Sequence, residues 1–217
     1  MQLVVIAKEP VAGRVKTRLC PPCTPQQAAA IAEASLADTL AVVARTPATR
    51  RVIALDGEPG SWLPAGFDVI AQRGGGLGDR LFGVFEDCFH QSAEPVLLIG
   101  MDTPQVSVDH LRRASTALDG PEADAVIGLA PDGGYWLIGL QHLDRLTFSD
   151  VPMSADDTGA AQIERLVECG YRLAETDTLR DVDDVSDALA VAAETPGSRF
   201  AAAVGAALDR RPDVVVR

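Results

Sequence analysis

The chain has 217 residues, of which 47% are hydrophobic and only 5% aromatic, and its formal net charge is −12. This length predicts a single domain over residues 1–217, with enough apolar side chains to form a core without a metal or disulfide staple. The acidic balance argues against a nucleic-acid partner, which would require a broad basic face. No apolar run has the length of a membrane span, and no basic segment precedes the first apolar run. We therefore expect a cytoplasmic protein with no signal peptide and no membrane partner.

The first predicted element is a buried strand over residues 3–7, followed by a loop rich in positive charge. The cations of this loop are Lys8, Arg14, Lys16 and Arg18. Lys8 and Lys16 are the two lysines of the whole sequence. In an acidic protein, a solvent-facing cationic loop favours a small anion such as a phosphate. The alternative is that these charges are simply solvated.

A helix is predicted over residues 26–43, with Thr24 as its N-cap and Pro25 at its first position. A strand, a basic loop and a helix in this order form the phosphate-binding edge of many open parallel sheets. The loop is not a Walker A motif, because it lacks the second glycine and the required spacing.

The cysteine and histidine residues suggest no chemistry beyond the predicted phosphate site. Cys20 and Cys23 form a Cys-x-x-Cys pair just before the first helix, which could be a redox or a zinc pair. No second cysteine pair and no histidine follows at ligand spacing, so we expect neither role. The three histidines fall in different segments.

A glycine-rich turn over residues 73–80 follows two predicted strands, over residues 51–55 and 67–72, and precedes a helix over residues 81–89. Glycines between a strand and a helix let the backbone pass close to an anion or a flat base. A plain flexible turn is the alternative. The turn is not a dinucleotide fingerprint, because Asp79 stands where that motif requires glycine.

An apolar strand over residues 95–101 ends at Asp102, and Pro104 then stops it. An acid at the tip of a central strand can hold a divalent cation against phosphate oxygens. The alternative is an acid that starts a turn or caps the next helix, over residues 108–118. Ser107 is the better candidate for that cap.

The second half of the chain predicts a hairpin of strands over residues 123–129 and 137–140, a helix over 158–169, a strand over 171–176 and a last helix ending near residue 193. The alternation of strands and helices predicts an α/β fold. We expect a three-layer α/β/α sandwich with a mostly parallel sheet, to which the hairpin adds an antiparallel part.

An acidic segment precedes the last predicted helix. Asp181 and Asp183 are one residue apart on an extended stretch and should point to opposite faces, so only one should reach a metal. A solvated acidic turn that caps the helix is the alternative.

These motifs together resemble a bacterial family of glycosyltransferase A-type proteins, within the nucleotide-diphospho-sugar transferase superfamily, that is related to phospholactate guanylyltransferase. The resemblance rests on five stretches: residues 8–19, residues 72–80, the Gly-x-Asp-x-Pro of residues 100–104, the Asp-Gly-Gly-Tyr of residues 132–135, and the acidic segment of residues 181–187, where Asp181, Asp183 and Asp187 fit the pattern of related nucleotidyltransferases. The chain departs from the family pattern at Trp136, where the family has a second tyrosine, and at residues 152–157, which puts the family's acceptor preference in question.

The resemblance implies a role for each matching residue. The implied catalytic residues are Lys8, Lys16 and Asp102. The implied nucleotide-binding residues are Lys8, Gly13, Arg14, Lys16, Thr17, Arg18, Gln72, Gly76, Leu77, Gly78 and Arg80. The implied substrate-binding residues are Asp132, Gly133, Gly134, Tyr135 and Trp136, of which the two aromatic side chains would stack on a sugar or base. The implied ligands of Mg²⁺ or Mn²⁺ are Asp102 and Asp183.

The function that these residues predict is transfer of a nucleotidyl group from a nucleoside triphosphate to a small phosphorylated acceptor. The alternative is glycosyl transfer from a nucleoside diphosphate sugar. The four loop cations favour the longer triphosphate, and the aromatic pair favours a sugar. A nucleotide-binding regulatory protein without turnover is a third possibility, which the intact carboxylates disfavour. The sequence leaves the base, the acceptor and the oligomeric state open.

Overall fold

The computed structural model describes residues 1–208. These residues contain one seven-stranded sheet, whose strands are β1 (Gln2–Lys8), β2 (Arg50–Asp56), β3 (Asp68–Ala71), β4 (Val96–Gly100), β5 (Ala125–Leu129), β6 (Tyr135–Leu140) and β7 (Leu173–Glu175). They also contain the helices α1 (Pro25–Arg45), α2 (Leu77–Gln91), α3 (Val108–Asp119), α4 (Thr158–Glu168), α5 (Val185–Glu194) and α6 (Arg199–Leu208). A short 3₁₀ turn, Thr17–Leu19, lies in the cationic loop.

The strand order across the sheet is β3-β2-β1-β4-β6-β5-β7. Strand β6 runs antiparallel to both of its neighbours, β4 and β5, and every other neighbouring pair in this sheet is parallel. The predicted α/β class, with a mostly parallel sheet and an antiparallel hairpin, is therefore confirmed. The chain order reverses between β1 and β4, and a crevice opens above the sheet at such a reversal.

Two apolar clusters cover the two faces of the sheet. One packs α1 and α3 against side chains such as Val5 and Leu97, and the other packs α2 and α4 against side chains such as Val4 and Leu98. Neighbouring residues of β1 therefore point to opposite faces, as the strand pleat requires, and both are buried.

The predicted start signals of two helices are present. The Thr24 hydroxyl accepts the Gln27 backbone N–H at 3.2 Å at the start of α1, and the Ser107 hydroxyl accepts the His110 backbone N–H at 3.2 Å at the start of α3. Asp184 caps α5 in the same manner, with Oδ1 accepting the Ser186 N–H at 2.8 Å. Each cap satisfies a backbone donor that the first turn leaves unpaired.

A third apolar cluster joins the end of the described chain to its beginning. It packs α5 and α6 against α1, with Phe200 fully buried and Val204 2% exposed. The sequence beyond residue 196 carried no motif, so α6 and its contact with α1 were not predicted. By length and composition α1 is apolar enough to cross a membrane, but 61% of its most apolar stretch is buried inside the structure, as in a core helix.

Phe200→Ala should destabilise the protein by about 3–5 kcal/mol, because it leaves a cavity among α1, α5 and α6. Urea unfolding followed by circular dichroism measures the change. Leu189→Ala is the matched control, because Leu189 is 53% exposed on α5, and it should cost less than about 0.5 kcal/mol. Equal losses in the two variants would contradict the packing of α6 described here.

Candidate functional site

A cavity of about 820 Å³ lies where β1 and β4 part, above the carboxyl ends of the parallel strands. Its walls come from the cationic loop, the glycine-rich turn, the segment after β4, the start of β6, the segment before α4 and the segment before α5. Charged side chains of both signs line it. The cations are Lys8, Arg14, Lys16, Arg18 and Arg80, and the acids are Asp102, Asp132, Asp156, Asp181 and Asp183.

The innermost cation of the loop is Lys16. Its Nζ lies 2.7 Å from Asp102 Oδ1 and also donates a hydrogen bond to the Val182 carbonyl, and its side chain is only 6% exposed. The expectation that the loop cations face solvent is therefore wrong for Lys16. The loop turns inward here because Lys16 adopts the left-handed conformation, with a φ of 48°.

Asp102 is positioned by the end of β4 and by two backbone contacts of its segment. The Ser35 hydroxyl of α1 donates to the Met101 carbonyl at 2.7 Å, and the Val182 N–H donates to the Asp102 carbonyl at 3.0 Å. Its Oδ1 is buried and has the Lys16 ammonium as its close partner, at 2.7 Å, while the side chain as a whole is 37% exposed.

An extended segment, residues 177–183, brings two further acids to Asp102 from about eighty positions along the chain. The Leu179 N–H donates to the Leu129 carbonyl at 3.2 Å, and the Arg180 carbonyl accepts from the Gln105 side chain at 2.6 Å. These contacts place the segment across the ends of β4 and β5. Asp181 and Asp183 both line the cavity as a result.

The two acids of this segment have different surroundings. Burial, and next the nearby Asp102 carboxylate, raise the pKa of Asp181 to about 7, with Lys16 opposing the shift. Asp183 is 47% exposed and its Oδ2 pairs with Arg18 Nη1 at 2.8 Å. Asp181 is thus the acid whose charge is coupled to Asp102, and the assignment of Asp183 as the metal ligand stays a prediction.

The glycine-rich turn forms the β2 side of the cavity. The Gln72 amide donates to the Ala7 carbonyl at 2.7 Å and to the Ala54 carbonyl at 2.9 Å. Both of its N–H groups are occupied, so only the amide oxygen can serve a ligand, as an acceptor. Arg80 pairs with Asp56 at 3.0 Å. Leu77, at the start of α2, is an exposed apolar residue on this wall.

The Asp-Gly-Gly turn between β5 and β6 forms the opposite side. Gly133 has a φ of 90°, and a β-carbon there would lie 1.7 Å from the Asp156 carbonyl oxygen. The Gly159 N–H donates to the Gly133 carbonyl at 2.7 Å. The turn is therefore fixed against the segment that precedes α4, and this close approach requires a glycine.

The two aromatic residues after this turn lie in different environments. The Tyr135 hydroxyl donates to Gln162 Oε1 at 3.3 Å, and burial raises the Tyr135 pKa. Trp136 is 2% exposed and its indole N–H donates to the Asp177 carbonyl at 2.8 Å. The expected stacking of Trp136 on a sugar or base does not agree with this placement, because protein encloses its ring. Only Tyr135 remains partly exposed at the cavity wall.

The outer cations of the loop differ from Lys16. Lys8 and Arg14 are exposed and form no ion pair with any side chain of residues 1–208, whereas Arg18 pairs with Asp183. Gly13, with a φ of 79°, and the exposed Thr17 lie in the same loop, between Lys8 and Arg18. Lys8 and Arg14 are thus available to an anionic ligand.

The carboxylates fit a divalent cation of the magnesium type. Within the part of the chain that the structure describes, no three Cys, His, Asp or Glu side chains form a closed metal cage. Magnesium is commonly held by one or two carboxylates and completes its shell with water and substrate phosphates. Asp102, at the tip of β4, could supply one such ligand, and its assignment stays a prediction.

Cys20 and Cys23 lie behind the loop, on the α1 side. Both are free thiols, and burial raises the pKa of the Cys23 thiol. A raised pKa disfavours the reactive thiolate.

Other cavity-lining residues were missed by the sequence reasoning. Met153, Ser154 and Asp156 line the wall next to Tyr135, although residues 152–157 were noted only for departing from the family pattern. Their contribution follows from the fixed contact with Gly133, a long-range approach that no local pattern encodes.

Comparison with solved structures defines the class of protein. A protein from Desulfovibrio desulfuricans G20, provisionally assigned as a nucleotide-diphospho-sugar transferase, is 25% identical with a TM-score of 0.84, covering 94% of this chain and 93% of that one. The chain thus has the nucleotide-diphospho-sugar transferase fold, and the resemblance drawn from its motifs is confirmed. It belongs to the family described as "Uncharacterized protein conserved in bacteria" (DUF2064), whose model matches residues 29–155. No curated protein sequence matches it.

Two nucleotidyltransferases share the fold at lower identity. CMP:2-keto-3-deoxy-manno-octonic acid synthetase in complex with CTP is 14% identical with a TM-score of 0.53, covering 87% of this chain and 95% of that one. The 4-diphosphocytidyl-2C-methyl-D-erythritol synthase of Anaerococcus prevotii DSM 20548 is 10% identical with a TM-score of 0.54, covering 88% and 94%. At these identities the likeness concerns the fold alone.

Asp181→Asn should raise the melting temperature at pH 8 in the presence of EDTA. The pKa of Asp181 rises on folding, so its contribution to stability is present below its unfolded pKa and is lost as pH rises towards 7. The gain in the variant should therefore shrink between pH 7 and pH 4. Differential scanning fluorimetry across this range measures it. Asp184→Asn is the control, because asparagine keeps the cap of α5. A gain that does not change with pH would contradict the raised pKa.

Proposed function

We propose that this protein is a divalent-metal-dependent nucleotidyltransferase, which transfers a nucleotidyl group from a nucleoside triphosphate to a small phosphorylated acceptor. One observation carries the proposal. A cationic loop and the strand-end carboxylate of Asp102 meet at the reversal of strand order, with Lys16 Nζ 2.7 Å from the buried Oδ1 of Asp102. Nucleotides bind at such reversals in open α/β sheets.

Mg²⁺ or Mn²⁺ would be held by Asp102, with Asp183 or Asp181 as the second carboxylate, and would supply charge neutralisation at the phosphate oxygens. The chain's own cations share that task. Lys8 and Arg14 are exposed and unpaired within residues 1–208, so they can contact phosphates at little cost. Arg18 would exchange its exposed partner Asp183 for a phosphate.

The wall at β2 suits the nucleoside. Gln72 presents only its amide oxygen, which accepts a hydrogen bond from a base or ribose, and the exposed Leu77 offers an apolar surface. Of the glycines in this turn, Gly75 lines the cavity. The Gly76 N–H already donates to Asp79 Oδ2 at 2.9 Å, and a β-carbon at Gly78 would lie 3.1 Å from the Phe148 carbonyl oxygen. Arg80 joins this wall to the phosphate region.

The wall at β6 suits the acceptor, because strand order puts it across Asp102 from the nucleoside wall. Asp132, Gly133, Gly134 and Tyr135 form it. An acceptor phosphate held there would attack the α-phosphorus in line and expel pyrophosphate. Such a transfer depends on positioning and charge neutralisation and needs no protein nucleophile.

Glycosyl transfer from a nucleoside diphosphate sugar is the second candidate. The observation that favours it is the charge of the acceptor wall, where Asp132 and Asp156 form no ion pair with any cation of residues 1–208. Carboxylates suit sugar hydroxyls better than an acceptor phosphate. The 25% identity to a protein provisionally assigned as a nucleotide-diphospho-sugar transferase adds weight.

The two candidates release different products. Thermal-shift screening with each nucleoside triphosphate and each common sugar nucleotide, with and without Mg²⁺ or Mn²⁺, identifies the donor. The donor is then incubated with pooled sugar phosphates, and phosphorus NMR follows the products. Pyrophosphate from a triphosphate supports nucleotidyl transfer, and nucleoside diphosphate from a sugar nucleotide supports glycosyl transfer. Absence of any stabilising nucleotide would contradict both.

Asp102→Asn should lower metal-dependent turnover by about 10²-fold or more, the usual cost of removing a group that stabilises developing charge. The amide keeps the shape of the side chain but binds a divalent cation weakly. Turnover is followed by phosphorus NMR, and nucleotide binding is measured by calorimetry with and without Mn²⁺. Asp184→Asn is the matched control: it removes the same charge nearby but keeps the cap of α5, and it should behave as the natural protein. Unchanged metal dependence in Asp102→Asn would contradict the assignment.

A further inference from the structure

Lys16 is held in place by contacts of a kind that a loop lysine rarely makes. Its ammonium lies 2.7 Å from Asp102 Oδ1 and donates to the Val182 carbonyl, while its side chain is 6% exposed. Its backbone has a φ of 48°. A residue with a β-carbon adopts this left-handed conformation mainly where its surroundings hold it there.

The Lys16 ammonium and a divalent cation would compete for one carboxylate. Asp102 Oδ1 is buried against the Lys16 ammonium at 2.7 Å, whereas the Asp102 side chain as a whole is 37% exposed, so a cation can approach its other oxygen. The Val182 N–H donates to the Asp102 carbonyl at 3.0 Å and so joins the two backbone segments. A metal ion on either oxygen of this carboxylate would meet the lysine charge at short range, where repulsion is strong.

We propose that the Lys16 ammonium is the resident cation of Asp102 in the free protein, and that a divalent cation binding at Asp102 displaces Lys16 towards the phosphates of the bound nucleotide. The inference rests on the metal site of the proposed function. It assigns Lys16 two successive partners, Asp102 in the free protein and a phosphate in the complex.

The exchange couples metal and nucleotide. Without a nucleotide, the metal must displace Lys16 into solvent, and binding is weak. With a nucleotide, the released ammonium gains a phosphate partner, so each ligand strengthens the binding of the other. The exchange also adds a cation to the phosphate region at the moment when the charge of Asp102 is taken up by the metal.

Because the sequence has only two lysines, Lys8 and Lys16, the natural protein can be tested directly. Lys8 is exposed and serves as an internal reference, whereas Lys16 is enclosed. Acetylation by a dilute amine reagent, followed by mass spectrometry of the two peptides, measures both rates. In EDTA, Lys16 should react slowly. As Mn²⁺ is added, its rate should rise about tenfold or more relative to Lys8, because the displaced amine leaves its enclosed position and becomes accessible to the reagent.

A pair of variants gives an independent measurement. Lys16→Met and Lys8→Met remove the same charge from the same cavity, but only the first removes the partner of Asp102. Electron paramagnetic resonance of free Mn²⁺ gives the affinity without nucleotide. Lys16→Met should bind Mn²⁺ about tenfold or more tightly than Lys8→Met, because it removes a competing charge at short range. The acetylation test covers the case in which Lys16→Met does not fold.

The outcomes separate this inference from the proposed function. Mn²⁺ binding with Lys16 still protected, or equal Mn²⁺ affinity in the two variants, overturns the exchange but leaves the metal site intact. Failure of the natural protein and of both variants to bind Mn²⁺, with or without a nucleoside triphosphate, overturns the metal dependence and the exchange together. Tighter binding by Lys16→Met alone supports both.

Discussion

The position of the site follows from the pairing of β1 with β2 on one side and β4 on the other. Val4 lies beside Val52 in one pair and beside Leu98 in the other, and all three side chains are buried. Because the chain order reverses across β1, the chain continues from β1 towards β2 at one edge and from β4 towards β5 at the other edge of the sheet, and a crevice remains between the two strand ends. The cationic loop leaves one strand end and Asp102 leaves the other, so the charged groups meet without any local signal between them.

The charge balance of this crevice supports the proposed divalent cation. Five cations and five acids line it, so the cavity is close to neutral before a ligand enters. A triphosphate would add several negative charges inside a protein whose net charge is already −12. The pairs Lys16 with Asp102 and Arg18 with Asp183 show that part of the positive charge is already used. A divalent cation would take over the acids and release the basic side chains for the phosphates.

Sequence reasoning predicted the elements and the strand ends well, because burial, capping and turn residues are local signals. Thr24 and Ser107 were recognisable as caps, and Asp102 as an acid at a strand tip. It failed where long-range packing determines the position of a side chain. The inward turn of Lys16 and the enclosure of Trp136 both depend on the segment before α5, through Val182 and Asp177. Alternation along that segment predicts that its two acids point to opposite faces, yet both line the cavity, and alternation cannot tell which of them lies nearer to Asp102.

That same segment links the site to the end of the described chain. β7 is only three residues long, so the stretch after it is held by single hydrogen bonds, such as Leu179 N–H to the Leu129 carbonyl at 3.2 Å, rather than by a ladder. Its far end is fixed by α5 and α6, which pack on α1. α1 also fixes Met101 through Ser35. One helix therefore supports both Asp102 and the segment that carries Asp181, and packing far from the cavity sets the spacing of the carboxylates within it.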